Sequence, residues 1–510
     1  MRRSGATVVL ALLLTFSVTV PTRAASQSID LRDGADVVIE GSGTGLVVAF
    51  GGDVNGDEVP DALVGSCGSP DREVSSGTTF VLFGSAEQRT VDVDGTDGHD
   101  GFRIEGSGQD KFACRARSVG DVNGDGLDDV AVGAMGADPR GRTNAGAVYI
   151  VFGKASTTPI SLSAFDLGIQ GSAGYRIDGP APITFTGADV AGLGDVNTDG
   201  LADLIVASPW AGHSYVLFGK SDPSSVDLAN LDQGPADSGY RIRHPAPDNT
   251  SDIAVGGGGD LNGDGSPDAL IGYSIDDEHP GAVAVVFGKS TSEPVNTSRL
   301  GRSGFKIRGT DPGDSTGHSV ADAGDVNSDG FDDVVLGVPR SGSGEGRGKA
   351  YVVFGAPTRR SFDLAKLGTR GFKIRGRNED DRAGTSVAGA GDVNGDGLDD
   401  VVIGAPLTRV GSRGRRHPYT QPGAAFVVYG KDSAAIVSLG DLVGGGYVIK
   451  GAQGASASCN FDCYGDWTGS SVAAAGDVNS DGYDDVLVGA PFARDGAGVG
   501  YIIWTHPFIP

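Results

Sequence analysis

The chain of 510 residues is long enough for two or three ordinary domains or for one large repeat architecture. Glycine contributes 86 residues without a collagen period or a low-complexity tract, which favours a fold of many short strands and turns. The formal net charge of −26 argues against nucleic acid as a partner, because nucleic-acid binding relies on Lys and Arg at the phosphates. The negative charge favours cations as partners instead.

The first 24 residues have the pattern of a signal peptide. Arg2 and Arg3 precede an apolar run from Ala6 to Val20, and Thr22 and Ala24 offer small residues for cleavage. An uncleaved membrane anchor is the alternative, but the run is short for one. We therefore expect residues 1–24 to be removed, and residues 25–510 to be secreted as a monomer with no membrane span.

A nine-residue acidic motif recurs seven times along the rest of the chain. It reads DVNGDEVPD in the first copy and DVNGDGLDD in the second, and successive copies begin 65 to 85 residues apart. This period predicts one supersecondary unit per copy. The copies begin at Asp53, Asp121, Asp195, Asp260, Asp325, Asp392 and Asp477.

Each acidic motif is flanked by short segments with the composition of β-strands. Ser386 to Gly391 is a small-residue segment before the motif, and Val401 to Gly404 is an apolar run after it. A second apolar run ends in an aromatic residue, as in Tyr351 to Phe354, and Phe372 to Arg375 alternates. Four strands per unit predict an all-β fold, a seven-bladed β-propeller of four-stranded blades over residues 25–510.

The two ends of the chain predict how the ring closes. Val37 to Glu40 has the pattern of a fourth strand although it precedes the first acidic motif, and the last unit ends after a third strand, Gly500 to Trp504. We expect the N-terminal strand to pair in the last blade, because this removes two exposed sheet edges. An open seven-unit solenoid is the alternative.

The acidic motifs have the spacing of a calcium-binding loop. Positions 1, 3, 5 and 9 carry Asp, Asn, Asp and Asp, position 7 can add a backbone carbonyl, and position 6 is Gly in six of seven copies. Calcium takes six to eight such oxygens, whereas Mg²⁺ demands a tighter octahedron. The loop is shorter than an EF-hand and lacks its helices. The alternative is a set of solvated turns that hold no metal.

We therefore predict up to seven Ca²⁺ sites, one in each blade, of which the first is the weakest because Glu58 replaces the turn glycine and Pro60 stiffens the exit. The predicted ligands are Asp53, Asn55, Asp57, Val59 and Asp61; Asp121, Asn123, Asp125, Leu127 and Asp129; Asp195, Asn197, Asp199, Leu201 and Asp203; Asp260, Asn262, Asp264, Ser266 and Asp268; Asp325, Asn327, Asp329, Phe331 and Asp333; Asp392, Asn394, Asp396, Leu398 and Asp400; and Asp477, Asn479, Asp481, Tyr483 and Asp485.

These repeats resemble the FG-GAP repeats of integrin alpha chains and of many bacterial secreted proteins. Gly404 to Pro406 and Gly489 to Pro491 match the GAP element, whereas Thr316, Ala383 and Thr468 stand where the FG element has Phe. The resemblance implies a seven-bladed propeller with structural calcium and recognition through loops on one face. In integrins only some blades carry the calcium loop, whereas all seven copies here keep it.

Four cysteines fit an oxidising compartment with two disulfides. Four cysteines allow three connectivities. Cys67 stands at the Pro position of the GAP element in blade 1, and Cys114 lies in the connection that enters blade 2, so we expect these two to pair. Cys459 and Cys463 then form the second disulfide. Metal binding by the cysteines is the weaker interpretation.

The sequence favours a binding or adhesion scaffold over an enzyme. The seven histidines fall at unrelated repeat positions, and we find no nucleophile elbow or phosphate loop. We expect an extracellular protein or glycan as the partner. The alternative is a calcium-dependent polysaccharide-active enzyme, a lyase or hydrolase, or a lectin.

Two enlarged connections are the candidate partner surface, Leu407 to Pro422 in blade 6 and Ala452 to Thr468 at the entry to blade 7. We expect them to lie side by side on one face. Arginine beside aromatic residues is typical of binding hot spots. Alternatively, the first is a solvated basic loop and the aromatics of the second pack on the propeller. The candidate residues are Arg409, Arg413, Arg415, Arg416 and Trp467.

Overall fold

The computed structural model describes thirteen stretches of the chain, which include all seven acidic loops. The signal-peptide prediction, all four cysteines and Arg413, Arg415 and Arg416 lie outside these residues, so both disulfide pairings stay predictions. The described residues are 28–32, 34–41, 47–66, 77–93, 101–107, 115–233, 238–244, 252–274, 279–340, 346–357, 360–409, 421–452 and 465–506.

The described residues form seven β-sheets arranged as blades around a central channel, so the prediction of an all-β, seven-bladed propeller is confirmed. The innermost strands of blades 1 to 7 are Val47–Gly52, Arg115–Gly120, Val190–Gly194, Asp252–Gly257, Ser319–Gly324, Ser386–Gly391 and Ser471–Gly476. The second strands are Asp61–Ser66, Asp129–Ala134, Asp203–Ser208, Ala269–Ser274, Asp333–Val338, Asp400–Ala405 and Asp485–Ala490.

The third and fourth strands continue each blade outward in antiparallel order. The third strands are Thr78–Leu82, Ala147–Val151, His213–Leu217, Ala282–Val286, Lys349–Val353, Ala424–Val428 and Val499–Ile503. The fourth strands of blades 1 to 6 are Gly101–Glu105, Gly174–Asp178, Gly239–Arg243, Gly304–Arg308, Gly371–Arg375 and Gly446–Lys450. The fourth strand of blade 7 is Val37–Glu40.

Each blade also carries a short fifth strand, which the sequence analysis did not anticipate. It runs parallel to the fourth strand and comes from the segment that precedes the fourth strand of the next blade, so it ties neighbouring blades together. The fifth strands of blades 1 to 7 are Ile160–Ser161, Val226–Asp227, Val295–Asn296, Phe362–Asp363, Val437–Ser438, Ser28–Asp30 and Arg89–Asp92.

The N-terminal strands close the ring in two blades. Val37–Glu40 pairs antiparallel with Val499–Ile503 in blade 7, as the sequence predicts. Ser28–Asp30 pairs with Gly446–Lys450 in blade 6. Asp36 secures the junction, since its carboxylate accepts a hydrogen bond from the backbone N–H of Trp504 at 2.9 Å. Closure therefore joins chain segments more than 400 residues apart.

The core lies between blades rather than inside one of them. All six residues of each second strand in blades 1, 2, 3, 5, 6 and 7 are buried, because the faces of these strands pack on the neighbouring blades. Leu63 and Phe102 of blade 1, for example, pack in one cluster with Val132 and Tyr149 of blade 2. Non-strand elements are short. The α-helical turns are Leu162–Asp166 and Ala493–Gly496, and the 3-10 turns are Pro139–Gly141, Pro209–Ala211, Leu228–Gln233, Thr297–Arg299 and Leu364–Lys366.

Candidate functional site

The seven acidic loops lie at one end of the ring, where each joins the innermost strand of a blade to its second strand. We call this end the acidic face. The fourth-to-innermost and second-to-third connections lie at the other end, which we call the opposite face. Every predicted metal ligand is therefore on the acidic face, at one equivalent position of each blade.

The first Asp of each motif organises the loop backbone. In blade 2 the carboxylate of Asp121 accepts hydrogen bonds from the N–H groups of Gly124 at 2.6 Å, Asp125 at 3.1 Å and Gly126 at 2.8 Å. Gly126 has a φ of 88°, which favours glycine and explains its recurrence at position 6. In blade 1 the corresponding residue, Glu58, adopts a φ of 66°. The carboxylate thus shapes the turn whether or not a cation is bound.

The last Asp of each motif is fully buried. In blade 2 the carboxylate of Asp129 accepts hydrogen bonds from the N–H groups of Val122 at 3.0 Å and Gly153 at 2.8 Å. Burial raises the pKa of Asp129 to about 8, although these hydrogen bonds oppose the shift. Burial raises the pKa at this position to between about 7 and about 9 in all blades, at Asp61, Asp129, Asp203, Asp268, Asp333, Asp400 and Asp485.

The donor chemistry of the loops fits a hard cation. The side-chain oxygens of Asn327 and Asn479, at position 3 of blades 5 and 7, are buried and have no hydrogen-bond partner. A buried polar atom left unpaired is costly, and a cation would satisfy it. Among the described residues, however, no three Asp, Glu, His or Cys side chains converge closely enough to hold an ion. Calcium binding therefore stays a prediction, supported by the orphaned amide oxygens.

Neighbouring acidic loops are joined to one another, a feature that sequence reasoning missed. The Asp at position 8 of one loop accepts a hydrogen bond from the backbone N–H of position 1 in the preceding blade. These pairs are Asp128 with Asp53 at 2.8 Å, Asp332 with Asp260 at 2.7 Å, Asp399 with Asp325 at 2.8 Å and Asp484 with Asp392 at 3.0 Å. The recurrence of Asp at position 8 in four of the seven motifs was the available signal.

Lysines that follow the third strands form a second link between blades. Lys154 places its ammonium 4.0 Å from the ring centroid of Phe102, on the fourth strand of the preceding blade. Its backbone N–H donates to the carbonyl of Val54 in that blade's acidic loop at 2.7 Å. Lys220, Lys289 and Lys431 stack in the same way on Tyr175, Tyr240 and Phe372. These cation–π contacts stabilise the seams between blades.

A network of ionisable side chains joins blades 1 and 2. Asp166 accepts hydrogen bonds from the hydroxyls of Tyr149 at 2.7 Å and Ser107 at 2.5 Å, and from the guanidinium of Arg176 at 2.9 Å. Burial, with the nearby Asp166 charge, raises the pKa of Tyr149. Both oxygens of Asp166 accept hydrogen bonds from protein groups, so we assign this cluster a structural role at the contact between the two blades.

The two enlarged connections meet on the opposite face where the structure describes their ends. The N–H of Thr468 donates to the carbonyl of Pro422 at 3.0 Å. Arg409 is exposed. The ring of Trp467 packs edge-on against Phe492, with centroids 4.7 Å apart, and the residue is partly buried. Of the partner-binding candidates in the described residues, Arg409 is therefore accessible, whereas Trp467 packs on the propeller.

Blade 3 carries a matching aromatic pair that the sequence analysis did not identify. Phe185 packs edge-on against Trp210 with centroids 5.1 Å apart, at the positions that Trp467 and Phe492 occupy in blade 7. Trp210 is 51% exposed, and Ile183 beside this pair is 50% exposed. In both blades an aromatic residue, Phe185 or Trp467, stands directly before a Thr-Gly pair at the entry to the innermost strand. This pattern was the signal that could have identified the pair.

Comparison with known proteins agrees with this architecture. The FG-GAP repeat family matches residues 118–151, 319–353, 383–426 and 468–503. The chain is a seven-bladed propeller that carries FG-GAP repeats at these four places and resembles the integrin alpha chains. No helix in the described residues is long and apolar enough to cross a membrane.

Three relatives illustrate the similarity. Integrin alpha pat-2 of Caenorhabditis elegans is 32% identical over 192 residues, 37% of this chain and 14% of the relative. Integrin alpha-PS2 of Drosophila melanogaster is 33% identical over 205 residues, 38% of this chain and 12% of the relative. Phosphatidylinositol-glycan-specific phospholipase D of Bos taurus is 30% identical over 165 residues, 31% of this chain and 18% of the relative. The alignments thus span less than a fifth of each relative.

Proposed function

We propose that this protein is a secreted, calcium-stabilised propeller that acts as a binding or adhesion scaffold for an extracellular protein or glycan. The observation that carries the proposal is the difference between the two faces of the ring. The acidic face is built of seven equivalent loops that hold the blades together. The opposite face carries the connections that differ between blades. A rigid ring that presents varied loops at one end is suited to recognition.

Calcium fits the acidic face for an electrostatic reason. Each loop carries three aspartates, and the last one is buried with a raised pKa, as at Asp129 and Asp485. A bound Ca²⁺ would offset the free-energy cost of burying this negative charge. The unpaired amide oxygens of Asn327 and Asn479 would coordinate it. Ions that bind only the folded state stabilise it by mass action.

The opposite face offers recognition chemistry of two kinds. Arg409 provides an exposed cation, and Trp210 and Ile183 provide exposed apolar surface on blade 3. Exposed aromatic and arginine side chains are the residues that most often anchor protein and glycan partners. Arg413, Arg415 and Arg416 add positive charge to the same connection as Arg409 in the sequence.

The calcium part of the proposal is tested by elemental analysis and thermal melting of the full chain. We expect several calcium ions for each chain and a marked fall in melting temperature in excess EGTA, restored by adding Ca²⁺. An unchanged melting curve in EGTA, together with no calcium in the purified protein, would remove the metal from the proposal.

The binding part is tested by capture on immobilised extracellular proteins and on acidic and neutral polysaccharides. Trp210→Ala and Arg409→Ala should weaken capture while leaving the melting temperature nearly unchanged. Val443→Ala is the matched control, because Val443 is 74% exposed but belongs to a connection at the acidic face. Equal losses in all three variants, or in none, would contradict recognition through the opposite face. Turnover of a polysaccharide in the same panel would instead support the enzyme alternative.

A further inference from the structure

One position of the channel wall carries an arginine in a single blade. The channel encloses about 1210 Å³ and is lined by the innermost strands of all seven blades. At the third residue of the aligned strands, six blades carry a small residue, and blade 2 carries Arg117. The six small residues are Ala49, Ala191, Gly256, Ala321, Ala388 and Ala473.

Arg117 is a cation that lines the channel. Among the described residues, no carboxylate lies within 4.0 Å of its guanidinium, which donates to the carbonyl of Ala116 at 3.0 Å. Asp189 attracts it only at longer range, and the Asp189 carboxylate accepts a hydrogen bond from the N–H of Val255 at 2.9 Å. Burial lowers the pKa of Arg117, with the Asp189 charge opposing the shift. Most of the five N–H donors of this side chain remain available.

Arg115 adds a second positive charge to the same wall. It begins the innermost strand, about 7 Å further toward the opposite face for a two-residue step along a strand. Its guanidinium donates to the carbonyl of Ala188 at 3.2 Å and lines the channel. Two arginines therefore stand one above the other on the blade 2 wall, in a chain whose formal charge is −26.

Four of the seven seams have a side-chain acceptor at the start of the innermost strand, whereas the seam beside these arginines, like those at Val47 and Ala254, has none. Ser319, Ser386 and Ser471 begin innermost strands and accept a backbone N–H from the next blade, as Ser471 does from Val48 at 3.0 Å. Asp189 serves the next blade in the same way. At the seam between blades 2 and 3 the corresponding residue is Arg115, whose side chain has no acceptor. An oxyanion held there would supply acceptor oxygens.

The two mouths of the channel admit an anion from one side. Asp322, Asp399 and Asp484 line the channel toward the acidic face and repel negative charge. Among the described residues, the lining toward the opposite face includes one carboxylate, Asp189, beside Arg115, together with Phe185 and Trp210. Charge complementarity therefore favours entry from the opposite face, past the aromatic pair.

We propose that the central channel binds a small oxyanion-bearing molecule, a carboxylate or a sulfate, through Arg117 and Arg115. The guanidinium fork matches the two oxygens of such groups. The channel, at about 1210 Å³, is larger than most small-ligand sites and leaves room for such a molecule. The inference does not depend on calcium or on a macromolecular partner, because Arg117 lies in the channel rather than on either face.

The test uses isothermal titration calorimetry on the full chain with sodium sulfate and sodium glucuronate, against sodium chloride at matched ionic strength. We expect the wild-type protein to bind at least one of the two oxyanions, and Arg117→Ala to bind it about ten-fold or more weakly. Binding of both sulfate and glucuronate would mean that the site recognises any small oxyanion. Binding of glucuronate alone would mean that the site is specific for carboxylates.

The variants are chosen so that folding does not confound the result. Arg117→Ala introduces the residue that five other blades carry at this position, so the ring should form normally and its melting temperature should hold. Arg308→Ala is the matched control, since it removes one positive charge from a fourth strand outside the channel lining. Equal affinity in the Arg117→Ala protein, or no binding of either oxyanion by the wild type, would overturn the proposal.

Discussion

The carboxylate of Asp128 accepts a hydrogen bond at 2.8 Å from the backbone N–H of Asp53, although the two residues are 75 positions apart and belong to different blades. The link is reciprocal, since the N–H of Asp128 donates to the carbonyl of Asp53 at 3.0 Å. Carboxylate links of this kind join the loops of blades 1 and 2 and those of blades 4 to 7. A cation bound in one loop would therefore also brace the neighbouring loop.

This link predicts an asymmetry between two substitutions of Asp128. Asp128→Ala leaves the N–H of Asp53 without its acceptor and should cost about 1–3 kcal/mol of unfolding free energy. Asp128→Asn keeps an acceptor oxygen and removes a charge that burial disfavours, since burial raises the pKa of Asp128. The Asp128→Asn variant should therefore have a urea unfolding midpoint close to that of the wild type. Urea titrations followed by tryptophan fluorescence give the comparison, and equal midpoints for the Ala and Asn variants would contradict it.

The amide of Asn327 provides a test of the metal that is separate from the carboxylates. Asn327→Ala removes one oxygen from the predicted site in blade 5 and should reduce the bound calcium by one ion for each chain. In Ca²⁺ its melting temperature should fall below that of the wild type, whereas in EGTA the two proteins should melt alike. A difference that persists unchanged in EGTA would mean that the amide has a structural role only.

Closure of the ring makes Val37–Glu40 a structural element of the last blade. Ile39 is fully buried between blades 7 and 1, so Ile39→Ala should cost about 2–5 kcal/mol. Hydrogen exchange should accelerate in Val499–Ile503, its pairing partner, and stay slow in Ala282–Val286 of blade 4, across the ring. Val38→Ala, next to it and only partly buried, is the control and should have the smaller effect. Unchanged exchange in blade 7 would show that closure does not depend on this strand.

The sequence was sufficient to predict the ring of blades, but not to predict the contacts between neighbouring blades. The period of the acidic motif gave seven units, and the pattern of Val37 to Glu40 gave the closing strand, because both depend on side-chain order along the chain. The fifth strands were missed because a two-residue segment such as Ile160–Ser161 has no periodicity to detect. Its pairing is decided by the neighbouring blade.

The candidate sites show the same limit. Spacing alone placed every acidic residue in its loop, but it could not reveal that Asp128 serves Asp53 or that Lys154 stacks on Phe102. Those contacts join residues brought together by the curvature of the ring. For Trp467 the sequence left two interpretations open, exposure in a partner surface and packing on the propeller, and in the structure its ring packs against Phe492.

His213 should make the stability of blade 3 depend on pH. Its ring lies beside Tyr215, with centroids 6.1 Å apart, and burial lowers its pKa to about 4, assisted by the positive charge of Arg241. An unfolded histidine takes up a proton near pH 6.5. Between about pH 6.5 and about pH 4 the unfolded chain therefore binds a proton that the folded protein does not. The contribution of this histidine to stability is present above that range and is lost as the pH falls through it.

The variant His213→Gln isolates this contribution, because glutamine does not titrate while every other ionisable group is common to both proteins. The difference in unfolding free energy between wild type and His213→Gln should be constant above about pH 7 and should shift against the wild type as the pH falls toward 4. Urea unfolding at a series of pH values in a fixed calcium concentration measures it. Curves that run parallel from pH 7 to pH 4 would mean that His213 is protonated in the folded protein as readily as in the unfolded chain.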